Sequence, residues 1–161
     1  MLSIRPAHAT DAPLILALIR ELATYEKLAH AVVATEEQLR ENLFGARPQA
    51  EVLIAEWRGE PAGFALYFHN FSTFLGRRGL YLEDLFVREE HRGRGIGRGL
   101  LVRLAGVAVE RGCGRFEWAV LDWNTPAQDF YKSLGACPVP EWDIFRLTGE
   151  ALLALAAQSA E

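Results

Sequence analysis

The chain has 161 residues, with 17 basic and 21 acidic side chains and a formal net charge of −4 at pH 7, which argues against a general nucleic-acid binder. Half of the residues are hydrophobic, yet no stretch approaches the ~20 apolar residues of a membrane-spanning helix, and residues 1–11 lack the basic start and apolar core of a signal peptide. We therefore expect a single cytoplasmic domain over residues 1–161, with neither a membrane nor a nucleic acid as partner.

Hydrophobic periodicity and turn residues predict an amino-terminal half rich in strands. Thr35 and Gln38 form the pattern of a capping box, and residues 58–61 read as a hairpin turn. The predicted elements are a strand over Leu2–Arg5, a helix from Thr10 or Asp11 to about Lys27, a helix from Thr35 to near Gly45, and strands over Val52–Trp57, Ala62–Phe71 and Leu80–Val87.

Helices and strands alternate in the second half of the chain. Thr125 and Pro126 predict a helix that starts with a hydroxyl cap and a proline and ends at Gly135. The other predicted elements are a glycine loop with a helix to about Arg111, strands over Phe116–Leu121 and Ile144–Leu147, and a terminal helix that Thr148 caps. This order predicts an α+β fold with α/β layering, in which helices cover a central sheet.

The glycine loop, Arg92-Gly93-Arg94-Gly95-Ile96-Gly97, joins the third long strand to an amphipathic helix. Glycines allow a close approach to a ligand, and the first turn of a helix has unpaired N–H groups that suit a phosphate. A P-loop would need a Lys-Ser or Lys-Thr pair after Gly97, and a dinucleotide fingerprint would need a third glycine where Arg98 stands. Both readings are therefore excluded.

The pattern that remains, Arg-x-x-Gly-x-Gly, resembles the pyrophosphate loop of the acetyl-CoA-dependent N-acetyltransferases of the GNAT superfamily. An ordinary glycine-rich turn before a surface helix is the alternative interpretation.

Glu83 is the candidate base for such a reaction, because an alkylamine with a pKa near ~10 must lose a proton before it attacks a thioester. An acidic residue among apolar neighbours in a central strand is costly to bury unless it is functional or paired. We interpret Asp84 as a satisfied structural carboxylate. Strict alternation puts Tyr81, Glu83, Leu85 and Val87 on one face and Leu82, Asp84 and Phe86 on the other, unless a bulge intervenes.

Tyr131 is the candidate acid, since its phenol can protonate the thiolate that leaves. A core tyrosine with its hydroxyl at the rim is the alternative. Asn124 could cap the helix that follows it or bond a cofactor through its amide. Tyr25 and Glu26 end the first helix, where a negative charge is unfavourable, so they could hold a cationic amine or be a solvated helix end.

The histidines and the two cysteines show no metal-ligand spacing, so we expect no metal.

Segments along nearly the whole chain resemble, in the same order, the diamine (spermidine/spermine) acetyltransferases of the GNAT superfamily. The matching segments are Ile4–Ala7, Glu21–Glu26, Tyr81–Asp84, the glycine loop, Trp123–Pro126, Phe130–Lys132 and Trp142–Arg146. The resemblance implies a GNAT fold, a mixed central sheet splayed between two central strands and flanked by helices on both faces. It also implies acetyl-CoA as cosubstrate and a homodimer.

The resemblance also assigns residues. Tyr131 would be the catalytic acid, and Glu83 would contact the amine and help to deprotonate it through water. The implied substrate-binding residues are Tyr25, Glu26, Glu83, Glu117, Trp118 and Ala119. The implied cofactor-binding residues are Leu85, Phe86, Val87, Arg92, Gly93, Arg94, Gly95, Ile96, Gly97, Arg98, Asn124, Thr125, Pro126, Ala127 and Leu134.

One departure bears on the substrate. Members that acetylate polyamines carry an aspartate before the strand of Glu83, whereas this chain has the run Phe71-Ser72-Thr73-Phe74 and one extra residue. This is similar to the branch that acts on thialysine-type amino acids. We expect transfer of acetyl to a primary amine of a diamine, a polyamine or an amino acid with a side-chain amine. A protein or peptide N-acetyltransferase and a non-catalytic CoA-binding sensor are the alternatives.

Overall fold

A five-stranded sheet organises the first part of the chain. The computed structural model describes residues 1–158, and the chain divides into two compact units, residues 1–121 and residues from 122 onward. The strands are β1 (Leu2–Pro6), β2 (Glu51–Trp57), β3 (Glu60–Ser72), β4 (Arg77–Val87) and β5 (Phe116–Trp118), which are neighbours in that order. Strands β1 to β4 are antiparallel and β5 is parallel to β4, so the predicted mixed sheet is confirmed.

Three helices belong to the same unit: α1 (Ala12–Tyr25), α2 (Glu36–Phe44) and α3 (Ile96–Glu110). The predicted capping box is confirmed, because the Thr35 side chain accepts from the N–H of Gln38 and the Gln38 side chain accepts from the N–H of Thr35. The predicted hairpin turn is also confirmed. Arg58 and Gly59 both have positive φ angles, 53° and 85°, as a tight two-residue hairpin requires.

Helix α1 covers one face of the sheet. Its Ile15 and Leu18 are fully buried against Ile54 of β2 and Phe64 of β3, and Phe86 of β4 belongs to the same cluster. The apolar positions of α1 recur every three to four residues, so one stripe of the helix faces the sheet. Burial of such side chains is the main favourable term in the stability of this layer.

Helix α3 covers the opposite face. An added Cβ at Gly99 would come within 3.4 Å of the side chains of Leu2 and Ile4 on β1, and Arg111 lies 6.0 Å from the ring centroid of Tyr67 on β3. Leu80 and Leu82 of β4 are buried, as are Leu100 and Leu104 of α3. The sheet therefore has helices on both faces, as predicted.

Arg88, directly after β4, ties α1 to this end of the sheet. Its guanidinium donates to both carboxylate oxygens of Glu21 at 2.8 and 3.0 Å and to the carbonyl oxygen of Pro61 at 3.0 Å. A bidentate pair of this kind is stronger and more directional than a single contact. The carboxyl end of α1, where Tyr25 and Glu26 lie, is held near the end of β4 as a result.

Strands β4 and β5 stay together only briefly. Within residues 1–158, β5 pairs only with residues 80–82 of β4, and β4 continues to Val87 without β5 as a partner. The predicted strand over Phe116–Leu121 is accordingly too long, because it ends at Trp118. The partial pairing leaves one backbone edge of β4 open from Glu83 onward, which agrees with the predicted splay.

The second unit contains α4 (Thr125–Ser133) and α5 (Gly149–Ala156). Asn124 caps α4, as one of its two predicted roles has it, because its Oδ1 accepts from the N–H of Ala127 at 3.3 Å. The prediction that the Thr125 hydroxyl is the cap is therefore wrong. Pro126 lies in the first turn, as predicted, where its missing N–H costs nothing.

The predicted strand over Ile144–Leu147 is also wrong, since these residues form no strand. Ile144 is 76% and Phe145 96% exposed. A strand needs a partner for its N–H and C=O groups, and local propensity does not supply one. Thr148 precedes α5, but its side chain makes no capping hydrogen bond.

No helix within residues 1–158 combines the length and the apolar character needed to cross a membrane.

Candidate active site

A β-bulge in β4 decides which side chains face the open end of the sheet. Leu66 of β3 is paired with Asp84 and the next residue, Tyr67, is paired with Leu82, so Glu83 is an extra residue in β4. The strict alternation predicted for this strand is therefore wrong across Glu83. Tyr81, Asp84 and Phe86 all lie on the face that α1 covers, because they pair with Phe68, Leu66 and Phe64.

Asp84 is the most perturbed acid of this region. Burial, the largest cause, and the charges of Glu83 and Glu26 together raise the pKa of Asp84 to about 7. Hydrogen bonds or a nearby cation would lower this pKa instead. Neither a hydrogen bond nor a cation is among the causes of this shift, which argues against the interpretation of Asp84 as a satisfied structural carboxylate.

Glu26 meets Asp84 from another element. It is the C-cap of α1, where its backbone N–H donates to the carbonyl oxygens of Leu22 and Thr24. Burial raises the pKa of Glu26 as well. Glu26, Glu83 and Asp84 thus form a cluster of carboxylates, named here the acidic cluster, which a cation would stabilise by relieving their mutual repulsion.

Tyr81 and Glu117 extend this face toward β5. They are partners in the parallel pairing of β4 with β5. Burial, Glu83 and Glu117 raise the pKa of the Tyr81 hydroxyl, in that order of size. Glu117 is partly neutralised by Arg115, whose Nε lies 2.8 Å from its Oε1. Of the other two predicted substrate residues, Trp118 is half-buried and Ala119 is exposed.

The glycine loop has the geometry of an anion cradle. Gly93 and Gly95 have φ angles of 75° and 76°, in the left-handed region that favours glycine. An added Cβ at either glycine would meet nothing within 4 Å, so the loop faces open space. Gly95 is the N-cap of α3 and gives it no side-chain cap, so the first N–H groups of this 15-residue helix remain for a ligand. Residues Arg92 to Arg98 therefore have a backbone geometry suited to a phosphate group.

Arg92 connects the glycine loop to the carboxyl end of α1. Its guanidinium carbon lies 5.0 Å from the ring centroid of Tyr25 and 5.7 Å from that of Phe86. Its Nε donates to the carbonyl oxygen of Val87 at 2.9 Å. A predicted cofactor residue thus stacks on a predicted substrate residue, a contact that no local sequence pattern indicates.

The remaining cofactor candidates of the first unit lie on β4. Leu85 and Val87 are half-buried on the face opposite Asp84 and Phe86, and they pair with Ala65 and Gly63. The Cγ2 of Val87 lies 3.8 Å from the position of an added Cβ on Gly97, so the strand and the start of α3 are in contact.

The second unit carries Tyr131 and the other cofactor candidates. Tyr131 is half-buried on α4, with its ring centroid 5.6 Å from that of Phe130. Asn124 is buried and caps α4, while Thr125 and Pro126 are exposed in its first turn and Ala127 is half-buried. Leu134 is 38% exposed directly after the helix.

The sequence patterns allowed for a bulge in β4 without predicting it, although two adjacent acids in a central strand are a signal for one. They did not predict the burial of His91, which is 8% exposed before the glycine loop and whose Nδ1 has no hydrogen-bond partner. No local pattern indicated its burial. No group of three or more acids, cysteines or histidines suited to a metal occurs among residues 1–158.

Comparisons with known proteins agree with this geometry. The family described as Acetyltransferase (GNAT) family matches residues 16–136. Thialysine N-epsilon-acetyltransferase of Bos taurus is 45% identical over 166 aligned positions, which cover 96% of this chain and 97% of that protein. L-ornithine N5-acetyltransferase NATA1 of Arabidopsis thaliana is 36% identical, with 94% of this chain and 86% of that protein covered. A solved structure of the integron cassette protein VCH_CASS6 of V. cholerae superposes with a TM-score of 0.82 at 28% identity, with 98% of each chain covered.

Asp84→Asn is expected to stabilise the protein at alkaline pH. Because the pKa of Asp84 is raised to about 7, its ionisation costs folding free energy as the pH rises from the unfolded-state value of ~3.9 through 7. At pH 8 the variant should be more stable than the parent by about 4 kcal/mol, since the pKa is raised by ~3 and each pKa unit is worth ~1.4 kcal/mol, and at pH 4 the two should be nearly equal.

Urea unfolding at both pH values measures this difference. Glu37→Gln, at an exposed position of α2, is the control and should give no pH-dependent gain. A gain of the same size at both pH values would contradict the expectation, since it could not come from ionisation.

Gly95→Ala is expected to lower the affinity for coenzyme A by about tenfold or more. A Cβ at a φ of 76° is strained, by about 1–3 kcal/mol, and would project into the open space before the loop. Titration calorimetry with coenzyme A measures the affinity. Gly106→Ala is the matched control, since Gly106 lies inside α3 with free space around it and no positive φ. Unchanged affinity in Gly95→Ala would remove the loop from the cofactor site.

Proposed function

Because the chain belongs to the acetyltransferase (GNAT) family and is an acetyl-CoA-dependent N-acetyltransferase of small-molecule amines, we propose that its acceptor is the side-chain amine of an amino acid of the thialysine or ornithine type. The names and the nearly complete coverage of the two curated relatives support this choice. The acidic cluster supports this choice, since three neighbouring carboxylates, two of them partly buried, favour a compact cation.

The charges around the β3–β4 hairpin favour a short acceptor over a polyamine. The hairpin runs from Ser72 to Arg77, and residues 72–79 contain no acid but two adjacent arginines, Arg77 and Arg78. Phe74 at its tip is 97% exposed. A long polycation that extended from the acidic cluster toward this hairpin would meet positive charge, and each like-charge approach reduces affinity.

The residues have distinct tasks in the proposed reaction. Arg92 and the N–H groups at the start of α3 bind the pyrophosphate, and the open edge of β4 beyond Glu83 offers N–H and C=O groups to the amide-bearing arm of coenzyme A. Tyr25, Glu26 and Glu83 receive the ammonium group, with Glu117 and Trp118 beside them. A carboxylate of the acidic cluster takes the proton from the amine, a role that the resemblance gives to Glu83.

The amine nitrogen then bonds to the thioester carbonyl carbon, the carbon–sulfur bond breaks, and the sulfur takes a proton from Tyr131. The nitrogen gives its second proton to water as the amide forms, and the Tyr131 phenolate regains a proton from water. The acetyl group goes directly to the amine, without a covalent enzyme intermediate.

We also propose a homodimer in the cytoplasm. Trp142 is 77%, Ile144 76% and Phe145 96% exposed within one short segment of the second unit. Such a concentration of large apolar side chains is unusual for a surface that stays in water and supports a protein interface there.

A panel of amines should separate the acceptor classes. We expect kcat/KM for thialysine and ornithine to exceed that for spermidine, and for a peptide with a free amino terminus, by about tenfold or more, or roughly 1.4 kcal/mol in transition-state stabilisation. Release of free thiol from acetyl-CoA is the readout. A preference for spermidine or the peptide would overturn the proposed substrate class, and tight cofactor binding without turnover of any amine would indicate a sensor.

Tyr131→Phe should lower kcat by about 10²-fold or more, because the variant lacks the proton donor for the leaving thiolate. Its affinity for coenzyme A should change little. The comparison with Phe130→Leu, on the same helix, controls for packing. If Tyr131→Phe retained near wild-type kcat, Tyr131 would not be the acid.

A further inference from the structure

We propose that Asp84, and not Glu83, accepts the proton of the bound ammonium group, while Glu83 and Glu26 hold its charge. This assignment rests on the proposed function and concerns the base of that same site. The role that the resemblance gives to Glu83 thereby divides between two neighbours in β4.

The bulge supplies the geometric basis. Because Glu83 is the extra residue, Asp84 returns to the face of Tyr81 and Phe86, under the end of α1. Asp84 is partly buried there, whereas the Glu83 side chain is exposed. A base that is shielded from water keeps its affinity for a proton, and an exposed carboxylate is better suited to attract a hydrated cation.

The charges that face Asp84 come from two elements. Glu83 lies on its own strand and Glu26 on α1, and both charges add to the effect of burial. From β3 the facing residue is the apolar Leu66. The guanidinium of Arg92, on the glycine loop, lies against the rings of Tyr25 and Phe86. Burial, the largest cause, together with these two acidic neighbours raises the pKa of Asp84 to about 7, where the group is half ionised at neutral pH.

This value suits a general base. An alkylammonium group has a pKa near ~10, so transfer to a carboxylate of pKa near 7 is uphill by roughly 10³, compared with ~10⁶ for a carboxylate of ordinary pKa near 4. In the step, the nitrogen–hydrogen bond breaks, its electron pair stays on nitrogen, and the proton bonds to a carboxylate oxygen of Asp84. The neutral amine then attacks the thioester carbon, and Asp84 later releases its proton to water.

The order of binding has a consequence for the pH dependence. An ammonium group in the acidic cluster favours the ionised form of Asp84 and lowers its pKa. The pKa seen in kcat/KM, which belongs to the free enzyme, should therefore be near 7, and the pKa seen in kcat should be lower. Activity should rise with pH through both values, since the carboxylate is the active form.

The test compares Asp84→Asn with Glu83→Gln, using thialysine as acceptor at saturating acetyl-CoA between pH 5 and 9. We expect kcat/KM of Asp84→Asn to fall by about 10²-fold or more at neutral pH. The rise of kcat/KM with pH near 7, the limb of the pH profile assigned to Asp84, should be absent in this variant. Glu83→Gln should raise KM about tenfold and keep that limb. Unchanged affinity for coenzyme A in both variants shows that the fold and the loop are intact.

The opposite pattern, a limb that Glu83→Gln abolishes and Asp84→Asn retains, would overturn the assignment and leave the proposed function standing. Absence of turnover by the wild-type protein on every amine would overturn both. Carbon-13 NMR of aspartate carboxyl groups supplies a readout without turnover. A resonance that titrates near 7 and disappears in Asp84→Asn supports the assignment, and an Asp84 resonance with an ordinary pKa near ~4 would overturn it.

Discussion

The structure depends on one constraint on β4: this strand is hydrogen-bonded along β3 but loses β5 after Leu82. Backbone N–H and C=O groups beyond that point need other partners, because unpaired polar groups are costly wherever water is excluded. The same edge lies between the glycine loop at its far end and the acidic cluster at the bulge. A ligand with amide groups could complete this edge, which is the place proposed for the amide-bearing arm of coenzyme A.

The bulge in β4 is a second constraint, and it decides which carboxylates lie together. One extra residue reverses the faces of all the residues after it, and this brings Asp84 beside Glu26. Like charges at a partly buried site destabilise the folded protein, and the cost is offset by bonds elsewhere in the same unit. Arg88 forms an ion pair with Glu21 on α1. Arg5 of β1 forms ion pairs with Glu56 of β2 and with Asp11, which directly precedes α1. Firm attachment of α1 thus allows its end to present a carboxylate that is poorly solvated.

Much of the fold follows from local patterns. The capping box of α2, the hairpin turn before β3 and the long strands follow from residue types a few positions apart, and all are observed. The resemblance to the GNAT family is likewise confirmed. Its main motif was the glycine loop, whose backbone conformation with positive φ angles requires glycine. The errors share another cause. The hydroxyl cap at Thr125, the strand over Ile144–Leu147 and the register of β4 depend on which atoms come within reach after folding. Short patterns allowed Asn124 as the cap and a bulge in β4, but they did not select either one.

The sequence by itself determined the mixed order of elements, the loop suited to pyrophosphate and the types of side chain available for acetyl transfer, because these follow from local conformational preferences and side-chain chemistry. Only the tertiary structure decided that Asp84 is the carboxyl with the raised pKa and that Arg92 stacks on Tyr25. A pKa depends on burial and on charges from distant parts of the chain. Pairing with β3 sets the register of β4, and that register brings Glu26, Glu83 and Asp84 together.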